Sequence, residues 1–155
     1  DLVDLGGKAL NFVKPDLRNQ RIETVLKLDP VAPAVVDGRQ IQQVFVNILT
    51  NARDAMSEGG TLTIVMADKC GGVEICFHDT GAGIPPQNLH RIFDPFFTTK
   101  GAYGKSRIPG TGLGLSVAMS IVRNHGGNLV ADSVPGRGTH VAVWLPRPLP
   151  GTPPG

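Results

Sequence analysis

Aromatic residues make up only 5% of this chain, with one Trp and one Tyr, so there is little to stack on nucleobases. The formal charge of +2 is too small to call for a polyanionic partner, and no nucleic-acid binding is expected. No stretch approaches the roughly 20 apolar residues of a membrane span. The longest, Leu113 to Val122, is interrupted by Gly and Ser. A soluble domain without direct membrane contact is therefore expected. The chain opens at Asp1, with no Met and no charged-then-apolar leader. It reads as an excised piece, and any targeting or anchoring segment is expected elsewhere in a longer protein. Cysteines number two, Cys70 and Cys76. A hairpin centred on Gly71-Gly72 would set Cys70 opposite Val73 and Cys76 opposite Ala67, which keeps the sulfurs apart. No His stands nearby to complete a zinc spacing, so two reduced thiols in a reducing, cytoplasmic compartment are expected.

What the chain does have is a 41% hydrophobic share over 155 residues, enough for one core and one domain. Leu2, Leu5, Ala9, Leu10 and Val13 recur at helical spacing, interrupted at Gly6-Gly7 and expected to stop at Pro15. Ile22 to Leu28 reads as a strand. Asp37, with Gln40 three residues on, looks like a cap for a long helix carrying Ile41, Val44, Phe45, Ile48, Leu49, Ala52, Ala55 and Met56, ending at Gly59-Gly60. Thr61 to Ala67 and Val73 to Phe77 read as strands. A helix from about Gly112 to His125 stops at Gly126-Gly127, and strands near Leu129 to Ala131 and Val141 to Leu145 flank Pro135-Gly136-Arg137-Gly138. This order implies a two-layer α/β sandwich, a mixed and mostly antiparallel sheet of about five strands covered by about three helices on one face. About 30 residues between Thr80 and Thr111 lack periodicity, and loops of that length usually serve as functional lids. Residues 147–155, rich in Pro and Gly, are expected to extend as a disordered linker beyond a domain of residues 1–146. Met119 and Trp144 are expected in the core. His125, with Arg123 in a last helical turn, suits the negative end of the helix dipole.

Chemistry concentrates at four places. At 100° per residue, Asn47, Asn51 and Asp54 fall within an arc of about 60° beside the apolar stripe of the capped helix. Short oxygen-bearing side chains disfavour a helix interior, so they suggest a hydrated hard cation, or else a solvated face. Asp79 leaves a strand into Thr80-Gly81-Ala82-Gly83, where glycines allow a ligand close to the backbone. An Asx turn is the plainer explanation. Gly110-Thr111-Gly112-Leu113-Gly114-Leu115 opens a helix, placing orphan N-H groups and the positive end of the dipole where phosphate oxygens would sit. It is not a dinucleotide fingerprint, because position 115 is Leu, and Gly104-Lys105-Ser106 is not a P-loop, because position 99 is Thr. Between Pro95 and Ala131 there is no acidic residue, while Lys100, Lys105, Arg107 and Arg123 lie there, giving a cationic loop.

Taken in order, Asn47-Ile48-Leu49-Thr50-Asn51-Ala52, Asp79-Thr80-Gly81-Ala82-Gly83-Ile84-Pro85, Phe93-Asp94-Pro95-Phe96-Phe97-Thr98-Thr99-Lys100, Gly110 to Leu115 and Gly136-Arg137-Gly138-Thr139 resemble the N, G1, F, G2 and G3 boxes of sensor histidine kinases. The Asp-Pro-Phe-Phe-Thr-Thr-Lys form resembles the nitrogen-regulation subclass. The resemblance implies the Bergerat fold with an ATP lid, ATP and Mg²⁺ as cofactors, and γ-phosphoryl transfer to a histidine. It further implies that Asn51 ligates Mg²⁺, with Asn47 its partner one turn earlier. Asp79 matches the acceptor of the adenine amino group, Gly83 the glycine beneath the base, Thr139 the threonine near it, and Gly112 to Leu115 the phosphate turn. Gly81, Ile84, Gly110 and Thr111 flank these positions, and Lys100 matches a phosphate contact. Related ATPases place a water-activating glutamate where this chain has Asn47, which turns the expectation from hydrolysis toward transfer. No histidine here stands in the context of a phosphoacceptor helix. The implied partners are therefore ATP and ADP, a separate dimerisation and histidine phosphotransfer domain, and indirectly a response regulator. A nucleotide-gated interaction module or a hydrolase of the same fold are the alternatives.

Overall fold

Apolar residues at helical spacing form α1 over Leu2–Asn19, burying Leu2, Ala9, Val13 and Leu17 in the computed structural model, which describes residues 2–29, 34–84, 87 and 114–147. The stop expected at Pro15 does not occur. Three anchors beyond it hold the last turn: Leu17 is 1% exposed, Asp16 pairs with Arg53 at 2.8 Å, and Gln20 Nε2 donates to the carbonyls of Arg53 and Met56. Together they outweigh the single backbone bond that Pro15 cannot donate.

Strand β1 (Ile22–Leu28) precedes α2 (Gly38–Ala55), whose buried face of Ile41, Val44, Phe45, Ile48, Leu49 and Ala52 follows the expected spacing. Asp37 caps it, its carboxylate accepting from the amides of Arg39 at 3.0 Å and Gln40 at 3.2 Å. The reciprocal half of the cap comes from His125 rather than Gln40: the Asp37 N-H donates to His125 Nε2 at 3.1 Å. His125 Nδ1 lies 2.8 Å from the Ile121 carbonyl and must carry the proton. The ring is thus a neutral bridge between two helix ends, not the cation the dipole would favour.

Strands β2 (Gly60–Lys69) and β3 (Gly72–Asp79) form a hairpin; α3 (Gly114–Asn124) then leads to β4 (Asn128–Val134) and β5 (Gly138–Pro146). The sheet order is β1-β2-β3-β5-β4, with only β1 and β2 parallel. The three helices among the described residues cover one face, with α2 in the middle packing on both α1 and α3. This is the expected two-layer sandwich; β1 has its expected bounds, and each of the other four strands runs one to three residues past its expected ends.

The β2–β3 turn sits one residue earlier than expected. Cys70 and Gly71 both have positive φ, 51° and 76°, and Lys69 pairs with Gly72, so Cys76 faces Val65 and Glu74 faces Ala67. A two-residue turn needs positive φ at both centres to match strand twist, and that decides the register. Both thiols are free, and burial pushes Cys76 to about 11, so it stays protonated at neutral pH. Trp144 also departs from expectation. Strand parity puts it on the uncovered face, where Nε1 donates to the Lys69 carbonyl, while Met119 packs against the core. Arg147, first residue of the expected tail, pairs with Asp68 and bonds the carbonyls of Gly71 and Gly72; 148–155 lie outside the described residues.

Asp37→Ala removes two cap bonds and leaves the His125 bridge in place. It should lower unfolding free energy by about 1 kcal/mol at unchanged m-value in urea titration. An unshifted midpoint would show that the cap does not hold α2.

Candidate functional site

The helix-covered face of the sheet is apolar except along one row. Residues Ile64, Phe77, Val141 and Ala131 pair across it; one row further toward the strand ends stand Leu62, Asp79, Thr139 and Ser133. Asp79 and Thr139 are the buried polar residues among those described, 6% and 7% exposed. Burial raises the Asp79 carboxyl above its ordinary value, opposed by bonds from the amides of Gly81 at 2.9 Å and Thr139 at 3.2 Å. Both bonds fall on Oδ1. Oδ2 therefore keeps its accepting capacity for a donor brought by a ligand, and an isolated buried charge calls for such a partner.

The segment after β3 is seated on two neighbours. The amide of Ala82 donates to the Ala55 carbonyl at 3.1 Å, and the Gly136 amide donates to Ala82 O at 2.7 Å. A Cβ at Gly81 would strike Ala55 O, so this close approach to the end of α2 requires glycine. Gly83 adopts φ 76° and lies against Val134 O and Pro135. Ile84 N donates to Ser133 Oγ at 2.7 Å, and Ser133 Oγ reaches Gly138 O at 2.8 Å and Thr139 Oγ1 at 3.1 Å. Sequence reasoning missed Ser133. Its signal was parity: Leu129, Ala131 and Ser133 alternate along β4 and share its inward face.

A second group gathers where α2 meets the start of α3. Asn47 Nδ2 donates to the Gly114 carbonyl at 2.9 Å, and its Oδ1 accepts from Gln43 at 2.6 Å. Asn51, half-buried, stands beside Gly114 as well, and Leu115 packs on the core. Asp54 points elsewhere, pairing with Arg53 at 3.1 Å. The structure thus brings Asp79, Gly81, Gly83, Ile84 and Thr139 together, and Asn47, Asn51, Gly114 and Leu115 together. Ala55 links the two groups, one turn beyond Asn51 on α2. Lys100, Gly110, Thr111, Gly112 and Leu113 lie outside the described residues, as do residues 85, 86 and 88–111 of the lid expected between Thr80 and Thr111.

No group of three or more His, Cys, Asp or Glu able to hold a metal occurs among the described residues. A hard cation here would have to arrive with other oxygens, as Mg²⁺ does with phosphates. A carboxylate with one oxygen bonded twice and the other not suits a ligand edge bearing an N-H donor.

Residues 36–149 match the family described as histidine kinase-, DNA gyrase B-, and HSP90-like ATPase. The chain is 44% identical over 151 residues to the two-component sensor PprA of Pseudomonas aeruginosa, covering 92% of this chain and 16% of that protein. It is 33% identical over 147 residues to the sensor histidine kinase ZraS of Escherichia coli (strain K12), covering 94% and 30%. It therefore spans under a third of either relative's length. Among solved structures, the catalytic domain of histidine kinase ThkA superposes with a TM-score of 0.82 at 28% identity, over 95% of this chain and 93% of that one. Sequence and fold agree that the chain belongs to the histidine kinase-, DNA gyrase B- and HSP90-like ATPases, as a catalytic domain of the sensor histidine kinase kind.

Proposed function

We propose that this domain binds ATP with Mg²⁺ and presents the γ-phosphoryl group to a histidine on a separate dimerisation and phosphotransfer domain, which then serves a response regulator. The observation that carries the reading is Asp79, a buried carboxylate whose backbone bonds both fall on one oxygen, at the end of β3 where Gly81, Gly83 and Gly138 let neighbouring backbone close in tightly. In an ATP-binding family, Oδ2 would accept from the adenine amino group, with Gly81, Gly83, Ile84 and Thr139 around the base. Asn51 would give Mg²⁺ one amide oxygen, the phosphates and water supplying the rest; bound there, the metal would offset phosphate charge. Gly110 to Leu115 would meet phosphate oxygens with backbone N-H groups, and Lys100 would add a positive charge.

Transfer is favoured over hydrolysis by Asn47. Both ends of its amide are engaged, with Gly114 and Gln43, and neither can take a proton from water at neutral pH. Phosphoryl transfer needs chiefly positioning and charge compensation, so an acceptor imidazole can come from outside. The described histidines do not supply it: His125 is engaged at both nitrogens, and His78 and His140 sit 6.0 Å apart on the uncovered sheet face.

Asp79→Asn separates function from stability. The folded-state carboxyl is raised above its ordinary 3.8, so its contribution to stability is complete below that value and is lost as pH rises through the folded one. At pH 7 the variant should melt no lower than wild type, because Asn keeps an oxygen for both amides and adds no buried charge. ADP affinity should fall tenfold or more, about the worth of a charge-assisted hydrogen bond, by calorimetry. Wild-type affinity in the variant would remove Asp79 from the site.

The activity is tested by mixing the domain with a purified phosphoacceptor domain, labelled ATP and Mg²⁺. Acid-labile label on histidine is expected. Free phosphate alone would make the domain a hydrolase, and no turnover despite binding would make it a nucleotide-gated module.

A further inference from the structure

We propose that Ser133 is a positioning residue for nucleobase selection: its hydroxyl fixes the Thr139 hydroxyl as a hydrogen-bond acceptor beside Asp79. This rests on the reading of Asp79 and Thr139 as the adenine site. Ser133 Oγ has three polar neighbours. The Ile84 amide at 2.7 Å can only donate to it, and the Gly138 carbonyl at 2.8 Å can only accept from it. A serine hydroxyl owns one hydrogen, and Gly138 takes it. The 3.1 Å contact with Thr139 Oγ1 must then be made by the threonine's hydrogen. Thr139, its proton committed to Ser133, can only accept from anything else.

Thr139 and Asp79 are directly paired across β5 and β3, and both face the helix-covered side. Two acceptors therefore stand next to each other on the helix-covered face. Such a pair receives a base edge that carries N-H groups, or a water that donates. It opposes a carbonyl oxygen in the same place, since lone pairs would face lone pairs. Ser133 has no role in contacting the base; it acts through Thr139 by removing the rotamer in which that hydroxyl could donate to an oxo group.

The test compares Mg-ADP with Mg-IDP, whose base carries an oxo group where adenine has its amino group, by calorimetry on the intact domain. Wild type should prefer ADP. In Ser133→Ala the Thr139 hydroxyl is free to turn and donate, so the ADP:IDP affinity ratio should fall about fivefold, the scale of one neutral hydrogen bond, with IDP binding no weaker than in wild type. Ser133→Thr keeps the hydroxyl and should restore the ratio. Ser133→Cys keeps the volume with a weak donor and should behave as Ser133→Ala, which guards against a fold defect in the alanine variant. A merely structural role would weaken both nucleotides in proportion; an unchanged ratio in the alanine and cysteine variants would overturn the proposal while leaving the ATP site intact. Wild-type protein that binds neither nucleotide would instead overturn the ATP-site reading, and this inference with it.

Discussion

Asp79 Oδ1 takes two backbone N-H groups, one from Gly81 two residues along and one from Thr139 sixty residues away, and the site is organised around that oxygen. The first bond turns the chain out of β3; the second ties the turn to β5. Burying a carboxylate is unfavourable, and two charge-assisted bonds offset only part of it, which is why the carboxyl remains raised. The remaining demand falls on Oδ2, which in the proposed reading a ligand donor would meet. The geometry depends on register, because a slip of one residue would turn Asp79 to the uncovered face. Register is set at the far end of the same strand. Cys70 and Gly71, both at positive φ, make the tight turn that pairs Leu62 with Asp79.

From that oxygen the rigidity spreads through backbone rather than side chains. Gly138, at φ 124°, leaves no room for a Cβ against Asp79 O, so β5 begins in contact with the end of β3. The Gly136 amide holds Ala82, and Ala82 in turn holds Ala55 at the end of α2. One turn back on α2 is Asn51, and another turn back Asn47 reaches α3 through Gly114. At the opposite end of α2, the neutral His125 ties its cap to the end of α3. The two helices that border the proposed phosphate region are therefore fastened to each other at both ends and to the sheet at one.

Features set by local rules could be read from sequence. The α2 helix was legible because its apolar spacing and its Asp37 cap are both written within a few residues. Asp79 and its glycines could be singled out because glycines following a strand-ending carboxylate permit close backbone approach, although the string alone reads as readily as an Asx turn. Features decided by a distant partner were not. Pro15 forecasts a stop, but Leu17, Asp16 and Gln20 find anchors on the core and on α2 that no local pattern records. The hairpin centre was misplaced by one residue because Gly71-Gly72 looks like the turn until pairing is known; Gly72 is in fact a strand residue pressed against Leu145 and Trp144. Trp144 was expected in the core as a residue of a closing strand, whereas parity on β5 turns it outward. Beyond its inward parity on β4, Ser133 gave no signal as a lone serine, and its importance comes from three neighbours on two segments, the chain after β3 and the start of β5.

The same logic bears on Asn47, the residue on which the proposal of transfer over hydrolysis rests. Its Nδ2 donates to the carbonyl at the first residue of α3, at 2.9 Å. A carboxylate at this position has no hydrogen to give at neutral pH and would set like partial charges against each other. A glutamate base here would require α3 to begin elsewhere or another donor to satisfy Gly114. The amide thus does two things with one set of atoms: it removes the group that would activate water, and it supplies the bond that places the start of α3 against α2. In this chain the loss of a base and the positioning of that helix are consequences of a single residue choice.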